Sequence, residues 1–137
     1  MSDPEKEIMQ RIEQLASTSG SFPVDTYLLV FDALNKCLLE HRKTRLEPIG
    51  ARELSQTMVA ILRDGFGPFA SHLLQKWGVH STNDFGRIVY ELVDAGLLAL
   101  NEGDAIEDFN DLFPLMDFLN EPFTAEPPYP DIQPIAR

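Results

Sequence analysis

The chain is poor in three things, and each shortage removes a class of explanation. It has one cysteine, Cys37, so an intramolecular disulfide is excluded. No run of strongly apolar residues exceeds five, the length of Tyr27 to Phe31, against the ~20 that a membrane-spanning helix needs. Lys and Arg together number 11 against 22 Asp and Glu, a balance that opposes contact with phosphate backbones. Met1 to Glu13 is charged throughout and has no apolar segment of the secretion-signal kind, so the expected compartment is the cytoplasm.

What acidity there is lies at one end. Residues 1–100 hold 10 Lys and Arg against 13 acids, whereas 101–137 hold Arg137 alone against 9 acids. A nearly neutral body is thus followed by an acidic end, which reads as a solvated, like-charged segment. At 137 residues the chain is long enough to bury one core without a metal or disulfide staple.

Apolar periodicity predicts a mainly α fold. Ile8, Ile12 and Leu15 follow a 3.6-residue period after Pro4, and the pattern stops at Ser17 to Gly20. A second helix is predicted over about 24–41, with Tyr27, Val30, Phe31, Leu34, Cys37, Leu38 and His41 on one side and Arg42, Lys43 and Arg45 at its carbonyl end. A third, over about 51–64, carries Leu54, Met58, Ile61 and Leu62, and Gly65 and Gly67 are expected to end it. Pro68 opens a fourth whose predicted buried stripe is Phe69, Leu73, Leu74 and Trp77, with Gly78 as a left-handed C-cap. Ser81-Thr82-Asn83-Asp84 reads as a capping box with Asp in place of Glu, opening a fifth helix on Phe85, Ile88, Val89, Leu92 and Val93.

After Gly96 the period changes. Leu97 to Leu100, the turn-forming Asn101-Glu102-Gly103-Asp104 and a return strand over about 105–109 predict a β-hairpin. A short helix is expected near 112–119. The tail after Glu121, with Pro122, Pro127, Pro128, Pro130 and Pro134, is expected to be extended or disordered. The predicted organisation is one helical domain over 1–123, containing a winged-helix-like segment at 51–109, and a proline-rich tail over 124–137. The alternative is a plain helical bundle with a loop at 97–109.

If 51–109 is a winged helix, its third helix would be the groove reader, and charge opposes that role. Its outward residues are Asn83, Asp84, Arg87, Tyr90, Glu91 and Asp94, and the wing tip would add Glu102 and Asp104. Arg87 is expected to pair with Glu91, its i+4 neighbour. The basic stretch His41 to Arg45 could hold an anion or an acidic partner, although helix-dipole complementation explains it more simply. The acidic run from Glu102 to Asp111 lacks the ligand alternation and central Gly of a calcium loop.

Catalytic signatures are missing: no phosphate-binding loop, no nucleophile elbow and no dinucleotide fingerprint. His41, His72 and His80 have no metal-ligand spacing, and Cys37 beside His41 is a weak nucleophile and base pair because Cys37 lies on the apolar side of its helix. No catalytic, metal or cofactor residue is assigned.

The segments Phe66-Gly67-Pro68, Trp77-Gly78-Val79, Asp84-Phe85-Gly86, Ile88-Val89, Gly96-Leu97-Leu98 and Glu107-Asp108-Phe109 resemble a family of short bacterial proteins of unknown function. The resemblance covers most of 22–123 and implies no activity. Three functions are therefore expected to compete. The first is a non-enzymatic protein-interaction module with an unidentified protein partner, using a winged-helix-like surface with Arg87, Tyr90 and Asp94, the basic residues Arg42, Lys43 and Arg45, or the acidic, proline-rich end, where Phe123 and Tyr129 are aromatic handles. The second is a winged-helix DNA-binding regulator, and the third a small-ligand protein with a pocket near His72, Trp77 and Cys37.

Overall fold

The computed structural model describes residues 4–18, 21–44, 49–101 and 103–119, with the side chains of residues 5 and 41–44 left aside. Five helices of eight residues or more carry the fold: α1 (Pro4–Thr18), α2 (Val24–Thr44), α3 (Ala51–Phe66), α4 (Ala70–Trp77) and α5 (Thr82–Asp94). A five-residue helix, α6 (Leu115–Leu119), follows. Short 3-10 turns occupy Gly67–Phe69 and Ile106–Phe109.

The amphipathic stripes meet in one core. α2 and α3 pack on each other and both touch α5, while α1 lies on α2, α4 on α3, and α6 on α4. Tyr27, Val30, Met58, Val59, Leu62, Leu74, Phe85, Ile88 and Leu92 are fully enclosed, and Leu119 of α6 joins the same cluster. Each such side chain contributes roughly 1.5–3 kcal/mol relative to leaving it in water.

α4 and α5 end by one device. Gly78, at φ 84°, lets Val79 N–H reach the Leu74 carbonyl at 2.9 Å, and Gly96, at φ 79°, lets Leu97 N–H reach Leu92 at the same distance. This is the Schellman closure, which needs a left-handed residue and so selects glycine. Val79 then drops into the core with no exposed surface.

Several local expectations need correction. α2 runs to Thr44, three residues past its predicted end, and its buried line of Val30, Ala33 and Cys37 leaves Leu38 51% exposed. α3 continues through Gly65 to Phe66, and the break falls at Gly67, whose φ is 55°. Trp77 is half-buried, not enclosed. Phe69 lies outside the buried stripe of α4 because 67–69 winds as a 3-10 turn. That turn shifts the helical phase, so Ala70 and Leu74 take the inward positions.

The hairpin is not formed: no strand occurs among the described residues, and the expected return strand is the 3-10 turn Ile106–Phe109. Asn101 and Asp104 do close a turn, with the Asn101 N–H donating to Asp104 Oδ2 at 2.9 Å and Gly103 at φ 88°. The reason lies in the spacing beyond it. Ile106 and Phe109 are three apart, which suits a 3-10 period, whereas strand alternation would pair Ile106 with Asp108. Without the hairpin there is no wing. The predicted tail, 124–137, Phe123 and Glu102 lie outside the described residues.

Candidate functional site

α5 carries three of the six site residues expected from the sequence, Arg87, Tyr90 and Asp94, and its first half is covered. Thr82, fully buried, donates its hydroxyl to the Phe109 carbonyl at 2.8 Å and accepts the Leu112 N–H at 3.1 Å. Asn83 Oδ1 accepts the Asp111 N–H at 2.9 Å, holding Asp111 at a φ of 51° that non-glycine residues seldom adopt. One turn on, Gly86 meets the Phe109 side chain so closely that an added Cβ would lie 2.8 Å from Phe109 Cβ. A glycine in a helix interior costs roughly 1 kcal/mol, and here it makes room for a buried aromatic ring. Arg52 of α3 completes the closure by donating to the Leu112 carbonyl at 3.2 Å.

The expected capping box is not realised. Ser81 is the N-cap but makes no side-chain cap bond, and Asp84 instead accepts the His80 N–H at 2.8 Å. Asp84 also takes the partner expected for Glu91: Arg87 Nη1 lies 3.1 Å from Asp84 Oδ1, and the guanidinium sits 5.1 Å from the centre of the Phe22 ring. Glu91 accepts the hydroxyl of Tyr27 from α2. Burial, then the Glu91 hydrogen bond and charge, push the Tyr27 phenol well above the ordinary tyrosine range.

Tyr90, expected as an exposed aromatic handle, is half-buried. Its hydroxyl is enclosed with no hydrogen-bond partner among the described residues. Burial, followed by the charges of Asp104, Asp108 and Glu107, raises its pKa. Asp94 is exposed and lines a cleft of about 480 Å³ with Arg11, Leu15, Glu91 and Ala95. Arg11 donates to the Ala95 carbonyl at 2.7 Å across the carboxyl end of α5, where a cation is favoured. Arg42 and Lys43 fall in the last turn of α2, but their side chains, like Arg45 as a whole, lie outside the described residues.

Cys37 is fully buried between α2 and α3, with its thiol donating to Thr57 Oγ1 at 3.3 Å. Desolvation raises its pKa, which holds it in the unreactive thiol form. The pairing of Cys37 with the His41 side chain falls outside the described residues. His72 is exposed on α4, and none of His72, Trp77 and Cys37 lines the cleft at Asp94 or a second one of about 590 Å³ beside His80, Asp111, Phe113 and Met116. Among the described residues no three His, Cys, Asp or Glu side chains converge as a metal site. No described helix is long and apolar enough to cross a membrane.

The feature that periodicity missed is the corner between α3 and α4. Phe66 is 49% and Phe69 71% exposed, two aromatic rings within four residues, in a chain that buries Phe22, Phe85 and Phe109. Gly67 and Pro68 between them were the available signal, since a glycine and proline step breaks helical phase. Compared with models of known protein families, with curated proteins and with solved structures, the chain matches none.

Proposed function

We propose that this protein is a non-enzymatic interaction module whose contact surface is centred on Phe66 and Phe69. The observation behind this reading is the 71% exposure of Phe69, the most open large apolar side chain among the described residues, with Phe66 one turn away. Aromatic side chains are enriched where proteins meet, because they remove large apolar area from water with few torsions to immobilise. The resemblance of the central segment to a family of short bacterial proteins belongs to the same proposal.

The α5 residues support this role less well. Arg87 is held by Asp84 and Phe22, and Tyr90 packs against the core. The DNA-regulator reading is weakened further, since Asn83, one of the outward residues of a groove-reading helix, is engaged by the Asp111 N–H. Titration of labelled random duplex at low and moderate salt should give no salt-sensitive binding; micromolar binding lost on replacing Arg87 would restore that reading.

Capture from a cell lysate with the tagged full-length chain tests the interaction proposal. Partners retained by the natural protein should be lost when Phe66 and Phe69 are both replaced by Ser, with the Trp77 fluorescence of folding unchanged. Identical capture by both proteins would move the surface elsewhere.

A further inference from the structure

Charges of opposite sign line one cleft without pairing. The cleft of about 480 Å³ lies between α1, which contributes Arg11, Gln14 and Leu15, and the carboxyl end of α5, which contributes Glu91, Asp94 and Ala95. Among the described residues Arg11 forms no ion pair with Glu91 or Asp94. Its Nη2 donates to the Ala95 carbonyl at 2.7 Å, and Glu91 Oε1 accepts the Tyr27 hydroxyl. Gly96 leaves the guanidinium its position by lacking a side chain, since an added Cβ would lie 3.3 Å from Arg11 Nη2.

Folding gives no reason for both carboxylates. Glu91 and Asp94 lie in the last turn of α5, which holds no basic residue, and negative charge there meets the negative pole of the helix. Glu91 is offset by its hydrogen bond from Tyr27. Asp94 is exposed and has no hydrogen bond or ion pair among the described residues. A carboxylate that weakens its own helix, in a cleft shared with a guanidinium, marks a place where stability is given up for binding.

The groups that remain define the ligand. Arg11 has further guanidinium donors beyond the one on Ala95, in a planar fork suited to a carboxylate. Glu91 Oε2 and the Asp94 carboxylate can accept from an ammonium, and Leu15 and Ala95 add apolar surface to the same walls. A simple anion would be repelled by the two acids, and a simple cation would leave Arg11 unmatched; a small zwitterion satisfies both. We infer that this cleft binds a free α-amino acid with an aliphatic side chain, its carboxylate on Arg11, its ammonium on Glu91 and Asp94, and its side chain along Leu15 and Ala95. This goes beyond the interaction reading and does not depend on Phe66 or Phe69.

The test titrates full-length chain labelled with nitrogen-15 with three compounds: L-leucine, isoamylamine, which lacks the carboxylate, and isocaproate, which lacks the ammonium. The amide resonances of Ala95 and Gly96 report on the cleft. L-Leucine should move both and saturate in the millimolar range, with each single-charge analogue weaker by about tenfold or more. In an Asp94→Asn chain the L-leucine titration should weaken by about tenfold while the melting temperature holds or rises, because a charge at the unfavourable helix pole is gone. Arg11→Lys, which keeps the charge and loses the fork, should weaken it as well. No saturating displacement by L-leucine would overturn the inference, and so would an unchanged titration in Asp94→Asn. Equal binding of isoamylamine would also overturn it, reducing the cleft to a cation site, and equal responses to all three compounds would reduce it to an effect of added solute. None of these outcomes touches the lysate capture result, which depends on Phe66 and Phe69.

Discussion

At 105–112 the chain turns back across α5 and closes on it, with Phe109 against Gly86, the Thr82 hydroxyl shared between Phe109 and Leu112, and Asn83 holding Asp111. At 67–69 it also turns tightly between helices, yet it leaves Phe66 and Phe69 facing outward and has no comparable set of side-chain bonds among the described residues. The two segments share an aromatic residue, a short 3-10 turn and a nearby glycine. They differ in what the glycine does. Gly86 lacks a side chain so that a ring can approach a helix, whereas Gly67 supplies a positive φ that ends one, and an added Cβ there would meet nothing within 4 Å. Exposed aromatic surface at 67–69 thus adds nothing to the fold, while buried aromatic surface at 109 sustains it.

Removing the ring from the closed segment should have the largest effect. Phe109→Ala is expected to cost roughly 3–5 kcal/mol, read as a lowered urea midpoint with Trp77 as reporter. A loss below about 0.5 kcal/mol would mean that 105–112 is only draped over α5. Gly86→Ala comes next. The added methyl gains roughly 1 kcal/mol of helix propensity but forces Phe109 aside, where the clash is with Cβ and not with a yielding side-chain end. A net loss of about 1–3 kcal/mol is expected, and thermal melting checks it.

Alkaline pH acts on the buried phenols packed around α5, and on the buried Cys37 thiol as well. The Tyr27 and Tyr90 phenols are raised in the folded protein, the first by burial and Glu91, the second by burial and the acids of the closing segment. An acid raised above its unfolded value of about 10 contributes stability that is fully present below that pH and lost as pH climbs through the folded value. Stability measured by urea midpoint should therefore fall above pH ~10. Replacing Tyr27 by Phe should flatten that decline, and an unchanged slope would sever Glu91 from the effect. The smallest response belongs to the corner: Phe69→Ser should alter stability by no more than about 0.5 kcal/mol. A larger loss in the melting experiment would show that the ring is part of the core and erase the contrast between the two segments.

The helices themselves were legible because each depends on nearest neighbours. Pro4, Gly78 and Gly96 mark ends by backbone chemistry that any context respects, and the stripe of Phe85, Ile88, Val89 and Leu92 buries one face wherever the helix packs. The hairpin and the Arg87 to Glu91 pair were misread for one reason. Both were inferred from spacing, and spacing says nothing about competitors: Tyr27 of α2 engages Glu91, and Asp84 takes Arg87.

Amino-acid order by itself determined a mainly helical protein with five principal helices, a buried thiol and an acidic end, since periodicity, capping and charge are local properties. Only the tertiary structure decided which aromatic rings are enclosed. Phe69 and Phe109 are chemically alike and each ends a 3-10 turn, but burial depends on what surface lies across from the ring. Gly86, 23 positions before Phe109 in the chain, offers a bare strip of α5. Among the described residues Phe69, 71% exposed, gains no such cover, and that long-range difference is what leaves its ring in solvent.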